Sequence, residues 1–181
     1  PDGQRWGNPI YRWDRMKKEK YAWWAERVKR VLAQADVARI DHFRGFAAYW
    51  EIPATSQTAR EGRWAAGPGL PLFEAIEKQL GTLPIIAEDL GLITPDVIEL
   101  IEGCGFPRMK VLCFGFGGDG THEFLPHNYA PKTIVYTSTH DTDTARGWWD
   151  NAKDSERHFA GSYLACGAHD FHWAAIRACM N

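Results

Sequence analysis

Hydrophobic and polar positions change period along this chain, and the changes divide it into repeating units. From about residue 15 to 35 the apolar side chains return at helical spacing, with Trp24, Val28, Val31, Leu32 and Ala35 at i, i+4, i+7, i+8 and i+11. Charges from Lys17 to Arg30 fill the other face, so one amphipathic helix is predicted. The period then falls to two over Val37-Ala38-Arg39-Ile40-Asp41, a short strand that puts Arg39 and Asp41 on one face. A helix resumes near Pro71, with Leu72, Phe73, Ile76 and Leu80 together and Gly81 at its end. Leu83 to Asp89 is an almost wholly apolar run, as a strand buried on both faces of a parallel sheet reads.

Thr94-Pro95-Asp96 supplies an N-cap, a first-turn proline and an acid to a further helix, closed by Gly103 or Gly105. Met109 to Phe114 and Thr133 to Thr137 are the third and fourth strands. A last helical region, about 155–180, breaks near Gly167. Two stretches keep no period. Residues 1–15, rich in Gly, Pro, Asn and Trp, read as a loop in which Trp6 on its own is a packed aromatic. Residues 46–70 read as a long irregular connection of the kind that is functional or disordered.

Strand, loop and helix alternate four times, which argues for right-handed β-α units, a parallel sheet and the α/β class. No glycine-rich nucleotide fingerprint follows any strand, so a dinucleotide-binding fold loses ground. The 181 residues suffice for one domain with a core. Twenty-one Lys and Arg against 23 Asp and Glu leave a net charge of −2, without the basic excess a nucleic-acid partner calls for. No apolar run reaches the length needed to span a bilayer, so no membrane is expected. The opening Pro1-Asp2-Gly3-Gln4 is no signal peptide. Cys104, Cys113, Cys166 and Cys179 form no CxxC pair, which favours free thiols in a reducing cytoplasm. The chain opens within a loop and ends on a helical pattern, as a piece of a larger protein would.

Three of the four strands lead into carboxylates: Asp41, Glu88 and Asp141. In a (β/α)8 barrel, strand ends far apart in sequence become neighbours around one mouth, where active sites are built. Four strands would make half of such a barrel. Two facing carboxylates are the equipment of glycoside chemistry, roughly 5–5.5 Å apart in the retaining version. Asp41 fits the nucleophile, because the nearby Arg39 guanidinium favours its charged form. Glu88 fits the acid/base, since an apolar strand disfavours a bare carboxylate. Asp141 fits a third role, holding sugar hydroxyls, with His140 beside it as a donor. Nine tryptophans supply flat faces for sugars to stack on. The bland readings stand beside these. Arg39 and Asp41 make an equally good structural ion pair, Glu88 and Asp89 serve as caps, and His140, Asp141 and Asp143 also suit a divalent metal. No HxxEH-type or cysteine-rich spacing accompanies that last set.

Arg39-Ile40-Asp41-His42-Phe43-Arg44-Gly45, Ala87-Glu88-Asp89-Leu90-Gly91 and Thr139-His140-Asp141 together resemble the 4-α-glucanotransferases, the amylomaltase or disproportionating-enzyme family of the α-amylase clan. Gly3 to Pro9, Tyr49-Trp50-Glu51-Ile52-Pro53 and Leu125-Pro126-His127-Asn128-Tyr129 resemble it too, in the same order, from residue 1 to about 178. The resemblance implies a (β/α)8 TIM barrel of which residues 1–181 form an incomplete C-terminal portion, roughly strands four to seven. It implies Asp41 as nucleophile, Glu88 as acid/base and Asp141 as transition-state stabiliser. Arg39 and His140 would bind substrate, and Trp6 and His42 would lie near the acceptor side. The implied reaction moves α-1,4-glucan segments between maltooligosaccharides in the cytoplasm, with no organic cofactor and no metal. The family usually carries further residues between Asp2 and Gly3, and commonly Asn where Thr142 stands. Two alternatives stay open: an α-glucan hydrolase of the same clan, and a non-catalytic carbohydrate-binding fragment. Half a barrel alone is expected to be inactive.

Overall fold

The helical pattern before the first strand folds as two helices, α1 (Trp13–Lys18) and α2 (Ala22–Leu32), where its spacing predicts one. The break lies at Lys20 and Tyr21, both left-handed with φ of 53° and 54°. The Tyr21 amide closes α1 by donating to the Met16 carbonyl at 2.7 Å. This turn sends the Tyr21 ring into the core, where it is 5 % exposed. Burying that ring offsets the cost of left-handed backbone at a residue with a Cβ. Trp24, Ala25 and Val28 continue the buried face, whereas Val31 is exposed and Ala35 lies past the helix end.

The computed structural model describes residues 2–180. They form two compact units, the first ending at Pro107 and the second beginning at Arg108. In chain order the first holds α1, α2, β1 (Ala38–Ile40), β2 (Ala48–Glu51), β3 (Arg63–Ala66), α3 (Leu70–Leu80), β4 (Ile85–Ala87) and α4 (Pro95–Cys104). β1 and β4 pair in parallel, with Arg39 opposite Ile86 and Ile40 opposite Ala87. Both strands are shorter than the alternating stretch 37–41 and the apolar run 83–89 predict. Phe43, Leu72, Phe73, Ile76, Ile85, Val97 and Ile101 make the core between this pair and the helices.

The stretch expected to be an irregular connection, 46–70, contains the antiparallel hairpin of β2 and β3. Trp50 faces Trp64 across it with ring centroids 5.4 Å apart, and Arg63 pairs with Glu51 at 2.7 Å. Its connection is too long to carry a short-hairpin signature, which is why the pattern hides it. Gly67 ends β3 where a Cβ would overlap the Phe46 carbonyl, so no other residue lets the two backbones approach this closely. At α4, the Thr94 hydroxyl turns to the Asp96 carboxylate, pulling its pKa down, and caps no amide. Gly105, left-handed at φ 68°, closes that helix.

The second unit holds β5 (Arg108–Val111), β6 (Thr133–Tyr136), α5 (Ala145–Asn151), α6 (Asp154–Leu164) and α7 (Phe171–Met180). β5 and β6 also pair in parallel. The third predicted strand stops at Val111, not Phe114, because Leu112–Gly117 winds into a 3-10 helix. That winding buries Leu112, Cys113 and Phe116 together against Ala160, Phe171 and Ala175, which a strand's alternation would not allow. α5 is absent from the predicted elements; the Thr144 hydroxyl caps it, accepting from the Gly147 amide at 3.1 Å. The expected break near Gly167 separates α6 from α7. All four cysteines are free. The described strands form three two-stranded sheets, two parallel and one antiparallel, and close no barrel.

Candidate active site

In the first unit the β1–β4 register, continued by one residue, sets Asp41 beside Glu88 at the carboxyl ends of adjacent strands. Neighbouring strands run about 4.8 Å apart. Three main-chain and side-chain bonds stitch these ends together. The Glu88 amide donates to the Ile40 carbonyl at 3.0 Å, and the Phe43 amide donates back to the Glu88 carbonyl at 3.0 Å. The His42 amide donates to Glu88 Oε2 at 2.6 Å. The second carboxylate oxygen, Oε1, accepts from the Leu90 amide at 2.7 Å. Glu88 is half-buried. Its surroundings are therefore polar at the carboxylate itself, which differs from the apolar setting expected of its strand. Asp89, next along, is buried at 2 % exposure and belongs to the interior.

Arg39 and Asp41 share a face as their spacing predicts. Arg39 Nη2 lies 2.7 Å from Asp41 Oδ1, with the guanidinium mostly covered and the carboxylate 71 % exposed. A mostly covered guanidinium thus holds an accessible carboxylate at the strand end, the arrangement a nucleophile needs.

Trp6 is 61 % exposed, so the packed-aromatic reading of this residue is corrected. It meets the His42 ring edge-on, with centroids 5.0 Å apart. The opening loop is carried there by Arg5, whose guanidinium donates to the Ser56 carbonyl at 2.6 Å and the Ala54 carbonyl at 2.8 Å. Asp2 adds an ion pair with Arg60 at 3.3 Å. Nothing in hydrophobic periodicity announces that anchoring; an arginine beside the Trp in a loop is its only trace. The first unit therefore brings together Trp6, Arg39, Asp41, His42 and Glu88.

Arg44 is a residue that sequence reasoning passed over. Its Nη1 donates to the Leu92 carbonyl at 2.6 Å, and its guanidinium lies 4.7 Å from the Trp64 ring centre. The loop after Asp41 is thereby tied to the loop after Glu88.

The second unit carries His140 and Asp141 in the turn that follows β6. His140 Nε2 lies 3.4 Å from Asp141 Oδ2, and both side chains are exposed. Thr142 closes the turn: its hydroxyl accepts from the Thr139 amide at 3.0 Å and donates to the Thr139 carbonyl at 3.1 Å. A hydroxyl here does for the turn what an Asn side chain does elsewhere. Asp143 points away from any such role, accepting from the Thr144 amide at 2.8 Å and from Asn151 at 3.2 Å. Among the described residues no group of three or more His, Cys, Asp or Glu is placed to hold a metal. None of the described helices is long and apolar enough to cross a membrane.

A 4-alpha-glucanotransferase from Arabidopsis thaliana, chloroplastic/amyloplastic by name, is 47 % identical over 180 residues, covering 99 % of this chain and 31 % of the relative. The 4-alpha-glucanotransferase of Thermus thermophilus is 50 % identical over 165 residues, covering 90 % of this chain and 33 % of the relative. Among solved structures, amylomaltase from Streptococcus agalactiae in complex with acarbose superposes with a TM-score of 0.92 at 42 % identity, over 98 % of this chain and 36 % of that one. Amylomaltase from Corynebacterium glutamicum, 22 % identical over 98 % of this chain and 25 % of its own, shares the fold with a TM-score of 0.72. The chain spans about a third of the length of the curated relatives it matches. The 4-alpha-glucanotransferase family model matches residues 1–181 throughout, and the chain belongs to that family.

Proposed function

We propose that residues 1–181 are the C-terminal portion of a catalytic (β/α)8 barrel, with β1, β4, β5 and β6 as its fourth to seventh strands. The whole protein is a retaining 4-α-glucanotransferase. The observation that carries this reading is the joining of Asp41 and Glu88: parallel neighbouring strands end in the two acids, and an amide of the Asp41 turn grips the Glu88 carboxylate.

Asp41 attacks the anomeric carbon of an α-1,4-linked glucan while Glu88 gives its proton to the departing 4-oxygen. The covalent glycosyl-enzyme is then opened by the 4-hydroxyl of a second glucan, with Glu88 taking that proton back. Arg39 keeps Asp41 aimed, its guanidinium donating to Asp41 Oδ1. Asp141 and His140 hold sugar hydroxyls through bonds that tighten as the oxocarbenium-like state forms. Trp6 and His42 receive the acceptor. A related amylomaltase is complexed with acarbose, and maltooligosaccharides and α-1,4-glucans are the substrates proposed here. The reaction uses no organic cofactor. Four unpaired thiols suit the reducing cytoplasm.

Transfer is favoured over hydrolysis by the exposed Trp6–His42 pair, a platform for an acceptor sugar beside the nucleophile. The product distribution from maltotriose, for the whole protein beside its Glu88→Gln variant, tests the reading. Glucose with a ladder of longer maltooligosaccharides, lost in the variant, is expected. Glucose and maltose without longer products would make it a hydrolase, and sugar binding without any turnover would leave the binding-fragment reading.

A further inference from the structure

We propose that His42 positions Glu88 through its main chain, independently of its imidazole. The inference rests on the acid/base reading of Glu88. In an extended strand successive amides point to opposite sides. Here the consecutive amides of His42 and Phe43 converge on one residue, the first on Glu88 Oε2 and the second on the Glu88 carbonyl. They converge because His42 is left-handed, with φ 49° and ψ 50°, and is followed at once by the 3-10 turn Phe43–Phe46. A left-handed residue next to a helical one turns successive amides into a concave anion-binding pair.

That conformation is costly for a side chain with a Cβ, and the imidazole does not account for it. The His42 side chain is exposed and meets Trp6 by its edge. What holds the turn is backbone, the Gly45 amide donating to the His42 carbonyl at 3.0 Å. Meanwhile Leu90 takes the other carboxylate oxygen. Each Glu88 oxygen therefore has one fixed amide donor, and one of the two comes from the turn that carries Asp41. The strained residue sets the acid/base against the nucleophile.

The test compares His42→Gly, His42→Asn and His42→Val in the whole protein. All three remove the imidazole and raise the acceptor KM, but they differ in how readily the backbone turns left-handed: Gly and Asn do so, a β-branched residue resists. Two donors are used, maltotriose and maltosyl fluoride. Fluoride departs without a proton, so its initial burst is insensitive to a misplaced acid. The expected result is a maltotriose kcat on the order of tenfold lower for His42→Val than for His42→Gly. His42→Asn should stay near His42→Gly, and the fluoride burst should be the same in all three. Equal kcat on maltotriose for Gly and Val overturns the proposal, as does a Val loss of the same size on both donors. If His42→Val does not fold, His42→Ala takes its place under the same two ratios. Glu88→Gln is run alongside. Full maltotriose turnover in that variant would sink the reading of Glu88 itself. Its loss, with Gly and Val equal, would sink only the positioning role.

Discussion

Arg44 Nη1 donates to the carbonyl of Leu92 at 2.6 Å, so a side chain three residues past Asp41 holds the loop four residues past Glu88. The same guanidinium lies 4.7 Å from the Trp64 ring centre, and the Trp64 indole is itself set against Trp50. One residue thus fastens the two acid-bearing loops and the hairpin.

Arg44→Met keeps much of the stem and removes both contacts. A charge-assisted hydrogen bond contributes about 1.5–3 kcal/mol, and a cation–π contact about 0.5–1 kcal/mol more. The variant should lose about 2 kcal/mol in denaturant midpoint measurements. Turnover should fall further than this stability loss alone predicts, because the Glu88 loop is no longer tied. A variant with wild-type kcat at temperatures where it is fully folded would show that the tie is structural only.

Much of this could be read from the sequence, and what could not has identifiable causes. The four parallel strands showed, the first by period-two alternation and the second as an apolar run, and Arg39 met Asp41 as that spacing requires. The hairpin stayed hidden because Tyr49-Trp50 and Trp64-Ala65 pair across a long connection, and no local signal reports a distant partner. The break at Tyr21 was hidden because a buried ring overrode helical spacing. Glu88 was recognisable as an acid at a strand end, but its two amide donors were not. Those bonds depend on the backbone turn at His42, and turn geometry at a non-glycine residue leaves no compositional trace.

Lys110 is buried on β5 and pairs with Glu123, its ammonium also lying 4.5 Å from the Phe124 ring centre. The hydrogen bond from Lys110 holds the Glu123 carboxyl below its ordinary range. A carboxyl lowered by folding adds stability above its unfolded pKa, about 4.3, and that share is lost as pH falls through the folded value. Glu123→Gln should therefore destabilise at pH 7, by about 2 kcal/mol once solvent screening of the exposed carboxylate is allowed for. At a pH below the folded value, the variant and the wild type should converge. A difference that persists unchanged into acid would rule the ion pair out as the cause. Lys110→Met, which leaves no buried charge, should cost less than Glu123→Gln.

Burial pushes the thiols of Cys104 and Cys113 up to about 12, and that of Cys179 to about 11; Cys166, less enclosed, is also raised. The thiolate is the reactive form. Iodoacetamide at pH 8, followed by peptide mass spectrometry, should label Cys166 first and Cys104 and Cys113 last. In the unfolded chain all four ionise near 8.5. Since the unfolded state gives up these protons more readily, stability should decline as pH rises past about 8.5. Early labelling of Cys113 in protein that is otherwise fully folded would mean its surroundings open, and the burial argument would fail.

Trp6 tests whether the acceptor platform exists. Its ring is mostly exposed, it touches His42 by an edge, and its loop is held by Arg5, so replacing it should leave the fold in place. An aromatic contact contributes about 0.5–1.5 kcal/mol beyond the area it buries. Trp6→Ala should accordingly raise the acceptor KM about tenfold when glucose and maltose are varied at fixed donor. The glycosyl-enzyme would then wait longer for a sugar and meet water more often. Hydrolysis products should rise relative to transfer products, with the rate of glycosyl-enzyme formation preserved. Trp6→Phe, which keeps a ring in the same place, should recover most of the transfer. If the ratio of transfer to hydrolysis is the same in Trp6→Ala as in the wild type, acceptor sugars are held elsewhere, and the argument that favours a transferase over a hydrolase loses its structural support.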